Sequence, residues 1–321
     1  MTSRLSKVAA ALVAALGLSQ GAWAQYSKVV VFGDSLSDTH RIYEFTKAVF
    51  GVGLPPSPPS MLGRFCDGPV AVENLAQKLN APILNYSFAG SQTGYGTLVL
   101  IPWGILTQVN EHLNHGAMVP TITTLPLISD LTSLIPGTGR ADPKALYFIW
   151  SGPDDFYAPG GMAPKTIETA TRNIQQAITS LYNAGARYFF IPTMPDLSIT
   201  PRALEKEQTQ PGYIAKASLL STQFSDALKK ALVTSAAKAP KARIMVFDTL
   251  PFLAVEKAKA EAEGKNTTQV CHHGTLNWTI FNTDPPCPDP ENYLFWDDNH
   301  PSAAANRVLG EAWAKAVVYR P

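Results

Sequence analysis

The chain of 321 residues has few cysteines and few charged residues. Its three cysteines, Cys66, Cys271 and Cys287, form no C-x-x-C pair, which argues against a cysteine zinc site and a thioredoxin-type redox site. Charged residues make up 16 %, against about 25 % in an average soluble protein, whereas 45 % of the residues are hydrophobic. This composition excludes an intrinsically disordered chain and predicts a protein with a substantial core.

Blocks of like charge are also absent. The 26 basic and 25 acidic residues leave a formal charge of +1. A protein that binds nucleic acid or an anionic membrane surface usually carries a basic patch, so neither partner is predicted. The chain lacks the nucleotide-binding motifs G-x-G-x-x-G and G-x-x-x-x-G-K-[ST], and no cofactor is predicted. A small-molecule substrate is therefore the best expectation.

No segment after the N-terminus offers about 20 uninterrupted apolar residues, so no transmembrane helix is predicted. Residues 1–24 have the pattern of a secretory signal peptide. A positive n-region, a short apolar stretch and the small-x-small sequence Ala22-Trp23-Ala24 follow one another. We expect cleavage before Gln25, an exported mature protein that is periplasmic or secreted, and a single domain over residues 25–321.

Export to an oxidising compartment would allow Cys271 and Cys287 to form a disulfide. Closing the loop between them would stabilise the fold by roughly 3 kcal/mol on chain-entropy grounds. Cys66 would then be the remaining thiol, and we interpret it as a small buried hydrophobic residue rather than a nucleophile.

Short runs of β-branched and aromatic residues alternate with amphipathic stretches, which is typical of a parallel sheet covered by helices. The five predicted strands are Lys28–Gly33, Pro82–Tyr86, Ala145–Trp150, Arg187–Ile191 and Arg243–Phe247. The helix before the fourth strand has one apolar stripe and is predicted to end at Gly185. A last helix begins near Ser302, and its predicted inner face consists of Ala305, Val308, Leu309, Ala312 and Trp313.

Two distant segments carry residues suited to nucleophilic catalysis. The first strand leads into Gly33-Asp34-Ser35-Leu36, so Ser35 falls at the carboxyl end of a strand, where open parallel sheets bind ligands. A plain turn or helix-cap role is the alternative for this serine. Asp297 precedes His300 by three residues, which is close enough in a turn to orient the imidazole. A serine needs such a base at neutral pH, so the three side chains are predicted to perform acyl transfer.

These segments resemble the GDSL, or SGNH, family of serine esterases and lipases. The resemblance extends over nearly the whole mature chain through residues 63–70, 85–90, 185–187 and 195–197. It is greatest to bacterial exported lipases, phospholipase or haemolysin-like enzymes and choline-ester hydrolases. The resemblance implies a three-layer α/β/α flavodoxin-like fold with a mostly parallel five-stranded sheet. It also implies Ser35 as nucleophile, His300 as base and Asp297 as its partner.

In this family three hydrogen-bond donors hold the oxyanion of the tetrahedral intermediate. Ser35 and Gly90 match the two positions that donate through the backbone, and the absent Cβ of Gly90 would let its N–H approach the reacting carbon. The third position is an asparagine in the pattern G-x-N-D, but here it is Asp154, within residues 152–155. Loss of one donor typically slows a reaction about 100- to 1,000-fold. We hypothesise that Asp154 is protonated in the transition state and donates a hydrogen bond.

Other residues depart from the family pattern or suggest weaker candidates. His40 and Arg41 replace a family Gly-Asn pair, which changes the expected edge of the pocket. His112 and His115 lie three apart on a predicted helix but lack the carboxylate of H-E-x-x-H, so we interpret them as surface histidines and predict no metal site. The aromatic candidates for a pocket wall are Trp103, Trp278, Phe281 and Trp296.

The leading functional interpretation is an exported carboxylic ester hydrolase that forms an acyl-enzyme on Ser35. Its expected substrate is a small-molecule or lipid ester with a short or medium acyl chain, with lipids, phospholipids and choline esters all open. Two alternatives stay open as well. The first is a carbohydrate O-acetylesterase, and the second is a binding protein on the same fold whose catalysis is impaired at Asp154. The sequence predicts no particular oligomeric state.

Overall fold

The computed structural model describes residues 26–98, 101–115, 137–273 and 283–317. The predicted signal peptide, Trp278 and Phe281 lie outside these residues. The strands are β1 (Val29–Gly33), β2 (Ile83–Asn85), β3 (Leu146–Trp150), β4 (Tyr188–Pro192), β5 (Arg243–Phe247), β6 (Asn266–Val270) and β7 (Tyr293–Phe295). The α-helices are α1 (Arg41–Phe50), α2 (Ala71–Lys78), α3 (Ile105–His115), α4 (Pro153–Tyr157), α5 (Pro164–Ala184), α6 (Pro201–Thr209), α7 (Tyr213–Lys238), α8 (Thr249–Ala262) and α9 (Ala303–Ala316).

The first five strands form one sheet in the order β2-β1-β3-β4-β5, and all neighbouring pairs are parallel. The predicted five-stranded parallel sheet is therefore confirmed, with each strand end within one residue of its predicted position. This order is that of flavodoxin-like folds, in which ligands bind at the switch point between β1 and β3. The strands β6 and β7 form a separate, smaller parallel sheet.

Alternate side chains of the central strands face two separate apolar cores. Val30, Phe32 and Tyr147 pack against α3, α5 and α7 on one face. Val29 and Phe148 pack against α2 and α9 on the other. Because the sheet is buried on both faces, its strands are continuously apolar in sequence. The three-layer α/β/α architecture is confirmed.

The packing of the last helix differs in part from the prediction. Val308 was predicted to face inward, but it is 37 % exposed. Asn306 and Gly310 are buried instead, together with the predicted Leu309. Asn306 accepts a hydrogen bond from the Ala71 backbone N–H, and a Cβ at Gly310 would collide with the Ala71 carbonyl. The helix therefore approaches α2 closely through a polar and a small residue, which apolar periodicity does not reveal.

His112 is buried on α3, so its interpretation as a surface histidine was wrong. Its ring contacts Phe32, Tyr86 and Tyr147 edge-on, with centroid separations of 5.2 to 5.8 Å. Burial lowers its pKa to about 4, which keeps the imidazole neutral near pH 7. No described group of three or more His, Cys, Asp or Glu side chains is arranged to hold a metal ion. Likewise, no described helix is long and apolar enough to span a membrane.

Candidate active site

The side chains of Ser35, His300 and Asp297 meet at the carboxyl edge of the main sheet. The Nε2 atom of His300 lies 2.7 Å from the Ser35 Oγ. Its Nδ1 atom lies 2.7 and 2.8 Å from the two carboxylate oxygens of Asp297. These are hydrogen-bond distances, so one imidazole bridges an alcohol and a carboxylate. The arrangement provides the contacts that activate a serine nucleophile.

The position of Ser35 follows from the end of β1. Gln108 of α3 hydrogen-bonds both backbone groups of Gly33, accepting from its N–H and donating to its carbonyl. The Asp34 Oδ1 then accepts from the Leu36 N–H, which forms a short turn around the serine. Ser35 is therefore presented at the switch point of the sheet. Gln108 was not identified from the sequence, because it lies on a helix more than 70 residues away.

A tight turn after β7 positions the imidazole. The Asp297 Oδ1 accepts hydrogen bonds from the backbone N–H groups of Asn299 and His300. The Trp296 N–H donates to the His300 carbonyl at 2.8 Å, which closes the turn. The Phe65 ring stacks on the imidazole with a centroid separation of 4.9 Å. The three-residue spacing of the aspartate and histidine thus places both side chains on one side of the turn.

A disulfide joins Cys271 and Cys287 beside this turn. Cys271 directly follows β6, which pairs with β7. The next residue, His272, donates its backbone N–H to the Trp296 carbonyl at 2.7 Å, and its ring stacks on the indole. The cross-linked segment therefore contacts the residue that immediately precedes Asp297.

The carboxylates around His300 favour its protonated form. Burial lowers the pKa of His300, but the Asp297 carboxylate outweighs this effect, with Asp298 and Asp34 adding to it. The net result is a pKa above the usual 6.5. Asp34 is itself buried, and burial raises its pKa to about 7. His300 is therefore a stronger base than an isolated imidazole.

The oxyanion donors expected at Ser35 and Gly90 border the same cavity. Within the described residues, neither of these two backbone N–H groups donates a hydrogen bond to another protein atom. Gly90 has a φ of +82°, which is the left-handed region that favours glycine. A Cβ there would make only ordinary contacts, the nearest at 3.7 Å from Leu98. The backbone conformation, rather than a shortage of space, accounts for the glycine.

Asp154 also borders this cavity, at the start of α4. Burial raises its pKa well above 3.8, and the negative charges of Asp34 and Asp155 raise it further. Its Oδ2 atom has no hydrogen-bond partner among the described residues. The adjacent Asp155, in contrast, accepts from both the N–H and the Oγ1 of Thr93. The Asp155 carboxyl thus anchors α4, while the Asp154 carboxyl remains available to a ligand.

Asp38 is a positioning residue that was not predicted from the sequence. Its two carboxylate oxygens accept four backbone hydrogen bonds, from the N–H groups of His40, Arg41, Ile42 and Ala89. The carboxylate therefore begins α1 and also holds the residue before Gly90, the expected oxyanion donor. A carboxylate shortly before the first helical residue, Arg41, is typical of a helix N-terminus, so the sequence could have indicated the bonds to α1. No pattern among neighbouring residues indicates the bond to Ala89.

Arg41, which departs from the family pattern, points into the scaffold. Its guanidinium lies 3.0 Å from both Glu111 carboxylate oxygens and donates to the Tyr86 carbonyl at 2.7 Å. It also lies over the Trp103 ring. Neither His40 nor Arg41 lines the cavity. Arg41 therefore links α1 to α3, and neither residue forms the edge of the pocket.

The cavity beside Ser35 has a volume of about 580 Å³. Most of its lining is apolar and includes Ile42, Phe45, Phe50, Leu54, Leu98 and Ile101. The predicted wall residues Trp103 and Trp296 are buried but do not line it. Cys66 is also buried, and burial raises the pKa of its thiol. The walls can therefore hold an apolar group.

Known proteins are similar to this chain over most of its length. The model of the GDSL-like lipase/acylhydrolase family matches residues 29–313. A phosphatidylcholine-sterol acyltransferase from Aeromonas hydrophila is 24 % identical, over 92 % of this chain and 80 % of that protein. A GDSL esterase/lipase from Arabidopsis thaliana is 26 % identical, over 88 % of this chain and 79 % of that protein. A solved carbohydrate acetylesterase from Sinorhizobium meliloti superposes with a TM-score of 0.46 at 14 % identity, over 90 % of this chain and 97 % of that chain.

The family match begins with β1 and ends in α9, so it includes the whole main sheet and all three meeting side chains. A match of this extent defines family membership. The chain therefore belongs to the GDSL-like lipase/acylhydrolase family, and it is an enzyme that acts on ester bonds.

Proposed function

We propose that the chain is an exported serine hydrolase for carboxylic esters with apolar acyl chains, phospholipids among them. The observation that carries this proposal is the contact between Ser35 and His300 at the wall of an apolar cavity. The signal-peptide pattern of residues 1–24 supports export, and residues 25–321 then form the mature enzyme.

In the acylation step, His300 Nε2 accepts the hydroxyl proton while Ser35 Oγ attacks the ester carbonyl carbon. The carbonyl electron pair moves to oxygen, and the resulting oxyanion accepts hydrogen bonds from the N–H groups of Ser35 and Gly90. A protonated Asp154 supplies the third donor, because an ionised carboxylate would repel the oxyanion. The carbon–oxygen bond to the alcohol then breaks, and the alcohol leaves with the proton from His300.

Water completes the reaction in the deacylation step. It gives a proton to His300 and attacks the acyl group on Ser35, and the second tetrahedral intermediate receives the same three hydrogen bonds. The Ser35 oxygen leaves with the proton from His300, which releases the carboxylic acid. Asp297 stays ionised and accepts from the imidazole Nδ1–H throughout, so it stabilises the imidazolium in both steps. Atoms and protons balance with water as the only co-reactant.

The cavity favours a long acyl group over an acetyl group. Its volume of about 580 Å³ is in the range of pockets that enclose drug-sized ligands. Each methylene buried against its walls contributes roughly 0.8 kcal/mol to binding, and an acetyl group offers only one methyl. The similarity to a protein named phosphatidylcholine-sterol acyltransferase supports a phospholipid substrate. The intact serine–histidine contact favours hydrolysis over a binding protein without catalysis.

Active-site labelling tests the proposal. An alkyl phosphonate should label the purified chain, and Ser35→Ala should abolish labelling and reduce p-nitrophenyl ester hydrolysis by about 10⁴- to 10⁶-fold. Ser37→Ala is the matched control, because Ser37 is a buried serine that does not line the cavity. Labelling that persists in Ser35→Ala would refute the nucleophile. A rate that falls steeply from acetyl to decanoyl esters would refute the acyl preference.

A further inference from the structure

The segment of residues 48–63 contains no charged residue. Four of its large hydrophobic side chains are exposed: Phe50 by 67 %, Val52 by 49 %, Met61 by 39 % and Leu62 by 51 %. We call these four residues the apolar rim. Large exposed apolar patches mark interaction surfaces, and an uncharged segment with four exposed apolar side chains is a candidate for one.

The first half of the apolar rim is continuous with the Ser35 cavity. Phe50 lines the cavity and is also two-thirds exposed, so the apolar wall reaches the outer surface there. Leu54 lines the cavity as well, and its N–H donates to the Thr46 Oγ1 on α1 at 2.8 Å. Val52 lies between these two wall residues in the chain. A molecule that contacts this part of the rim therefore lies beside an apolar route to Ser35.

The second half of the apolar rim adjoins the turn formed by residues 296–300, which we call the histidine turn. Ser60 accepts a hydrogen bond from the Trp296 indole N–H at 3.3 Å, and the Phe65 ring stacks on His300. The two remaining rim residues, Met61 and Leu62, lie between Ser60 and Phe65 in the chain. Both halves of the rim are thus connected to walls of the catalytic cavity.

We propose that the apolar rim docks on the surface of aggregated lipid, so that an ester passes from the lipid into the cavity without crossing water. This inference rests on the proposed function. Uncharged apolar side chains favour insertion at a lipid interface, whereas electrostatic attraction to anionic lipid requires basic residues. A lipid surface is the favoured occupant because it supplies the same apolar acyl chains that the cavity accommodates. Docking should therefore depend on apolar burial rather than on charge.

Vesicle binding tests docking separately from hydrolysis. The full chain carrying Ser35→Ala is sedimented with phosphatidylcholine vesicles, alone and combined with Val52→Asp and Leu62→Asp. The rim substitutions should weaken binding by about tenfold or more, since they remove inserted apolar groups. Raising the salt concentration should change binding less than about twofold, because no rim charge is screened. The matched control is Leu219→Asp with Val233→Asp on α7, where both residues are exposed and neither lines the cavity.

Hydrolysis with Ser35 intact supplies the second measurement. The Val52→Asp/Leu62→Asp variant should hydrolyse phosphatidylcholine vesicles about tenfold more slowly than the parent, yet cleave soluble p-nitrophenyl butyrate at the parent rate. The α7 control should retain both activities. Parent-like vesicle binding by the rim variant would overturn the proposal. An equal loss on the soluble ester would also overturn it, because the substitutions would then impair the fold or the catalysis.

A second copy of the chain is the competing occupant. If the parent forms a dimer that the rim substitutions dissociate, with vesicle binding unchanged, the rim is a subunit interface and the docking proposal fails. Failure of the proposed function has a different signature. In that case the phosphonate would not label Ser35, while rim-dependent vesicle binding would persist.

Discussion

The two halves of the catalytic arrangement are held in place by different kinds of structure. Ser35 follows β1, a central strand of the five-stranded sheet whose five residues are all buried. Asp297 and His300 lie outside that sheet, on a turn between β7 and α9. The small sheet and the disulfide between Cys271 and Cys287 support this turn. The position of Ser35, the proposed nucleophile, thus depends on the main core, whereas the position of His300, the proposed base, depends on local contacts.

Because of this difference, the segment that holds His300 should unfold locally more easily than the segment that holds Ser35. Segments with few buried apolar contacts open at a lower free energy than core strands. β6 has one buried residue, Thr267, and the others are half-buried or exposed. The histidine turn should therefore unfold locally at a lower free energy than the turn that holds Ser35. Substitutions in the histidine half, at the third oxyanion position and in the serine half test the separate contributions.

Removing the disulfide should have the largest effect on the histidine half. Cys271→Ser with Cys287→Ser opens a cross-link between residues 16 apart, which should cost about 3 kcal/mol of stability on chain-entropy grounds. Hydrogen exchange should become faster in residues 293–300 and remain unchanged in residues 29–35, and kcat should fall. Cys66→Ala, which removes only the free thiol, is the control and should leave exchange in the turn unchanged. Equal acceleration in both segments would contradict the proposed contrast.

Asp154→Asn should change the pH dependence of catalysis. Activity of the parent should fall as pH drops through the His300 pKa, which lies above 6.5, because the base becomes protonated. It should also fall as pH rises through the raised pKa of Asp154, because the proton donor is lost. The variant keeps a donor at all pH values, so it should lack the alkaline decrease and exceed the parent by about 100-fold there. The measurement is kcat/KM for a p-nitrophenyl ester from pH 5 to 10.

Protein stability provides a second readout for the same variant. Because the folded pKa of Asp154 is raised, the folded parent binds more protons than the unfolded chain and loses stability as pH rises above 3.8. Asp154→Asn should remove this loss in urea unfolding at pH 8. Asp155→Asn is the control for activity: it weakens the bond to Thr93 and should keep the alkaline decrease, displaced to lower pH because the Asp155 charge that raises the pKa of Asp154 is removed. Activity of Asp154→Asn that is unchanged or lower at every pH would refute the donor role.

Asp38→Asn should have the smallest effect and should act on the serine half. An amide group in place of one carboxylate oxygen loses two of the four backbone hydrogen bonds, at a cost of about 1 to 2 kcal/mol. Because Ala89 precedes the oxyanion glycine, kcat should fall a few-fold, while KM changes little. Urea unfolding and steady-state kinetics measure the two effects. A loss of stability with unchanged kcat would show that Asp38 only supports α1.

The sequence identified residues whose partners are close in the chain. The five strands were predicted because buried parallel strands are continuous apolar runs. The spacing of Asp297 and His300 was informative because one turn brings both to the same side. Asp38 and Gln108 were missed because their important bonds, to Ala89 and Gly33, join residues 51 and 75 positions apart. No local pattern reports such bonds.

The amino-acid sequence by itself determined the five central strands, the end of α5, the start of α9 and the residue types available for acyl transfer, since these depend on local periodicity and composition. Only the tertiary structure decided that Ser35 and His300, 265 residues apart, lie 2.7 Å from each other. It also decided that His112 is buried and that Phe50 of the apolar rim lines the cavity beside Ser35. The physical reason is that burial and contact depend on how distant surfaces pack together, which no short segment encodes.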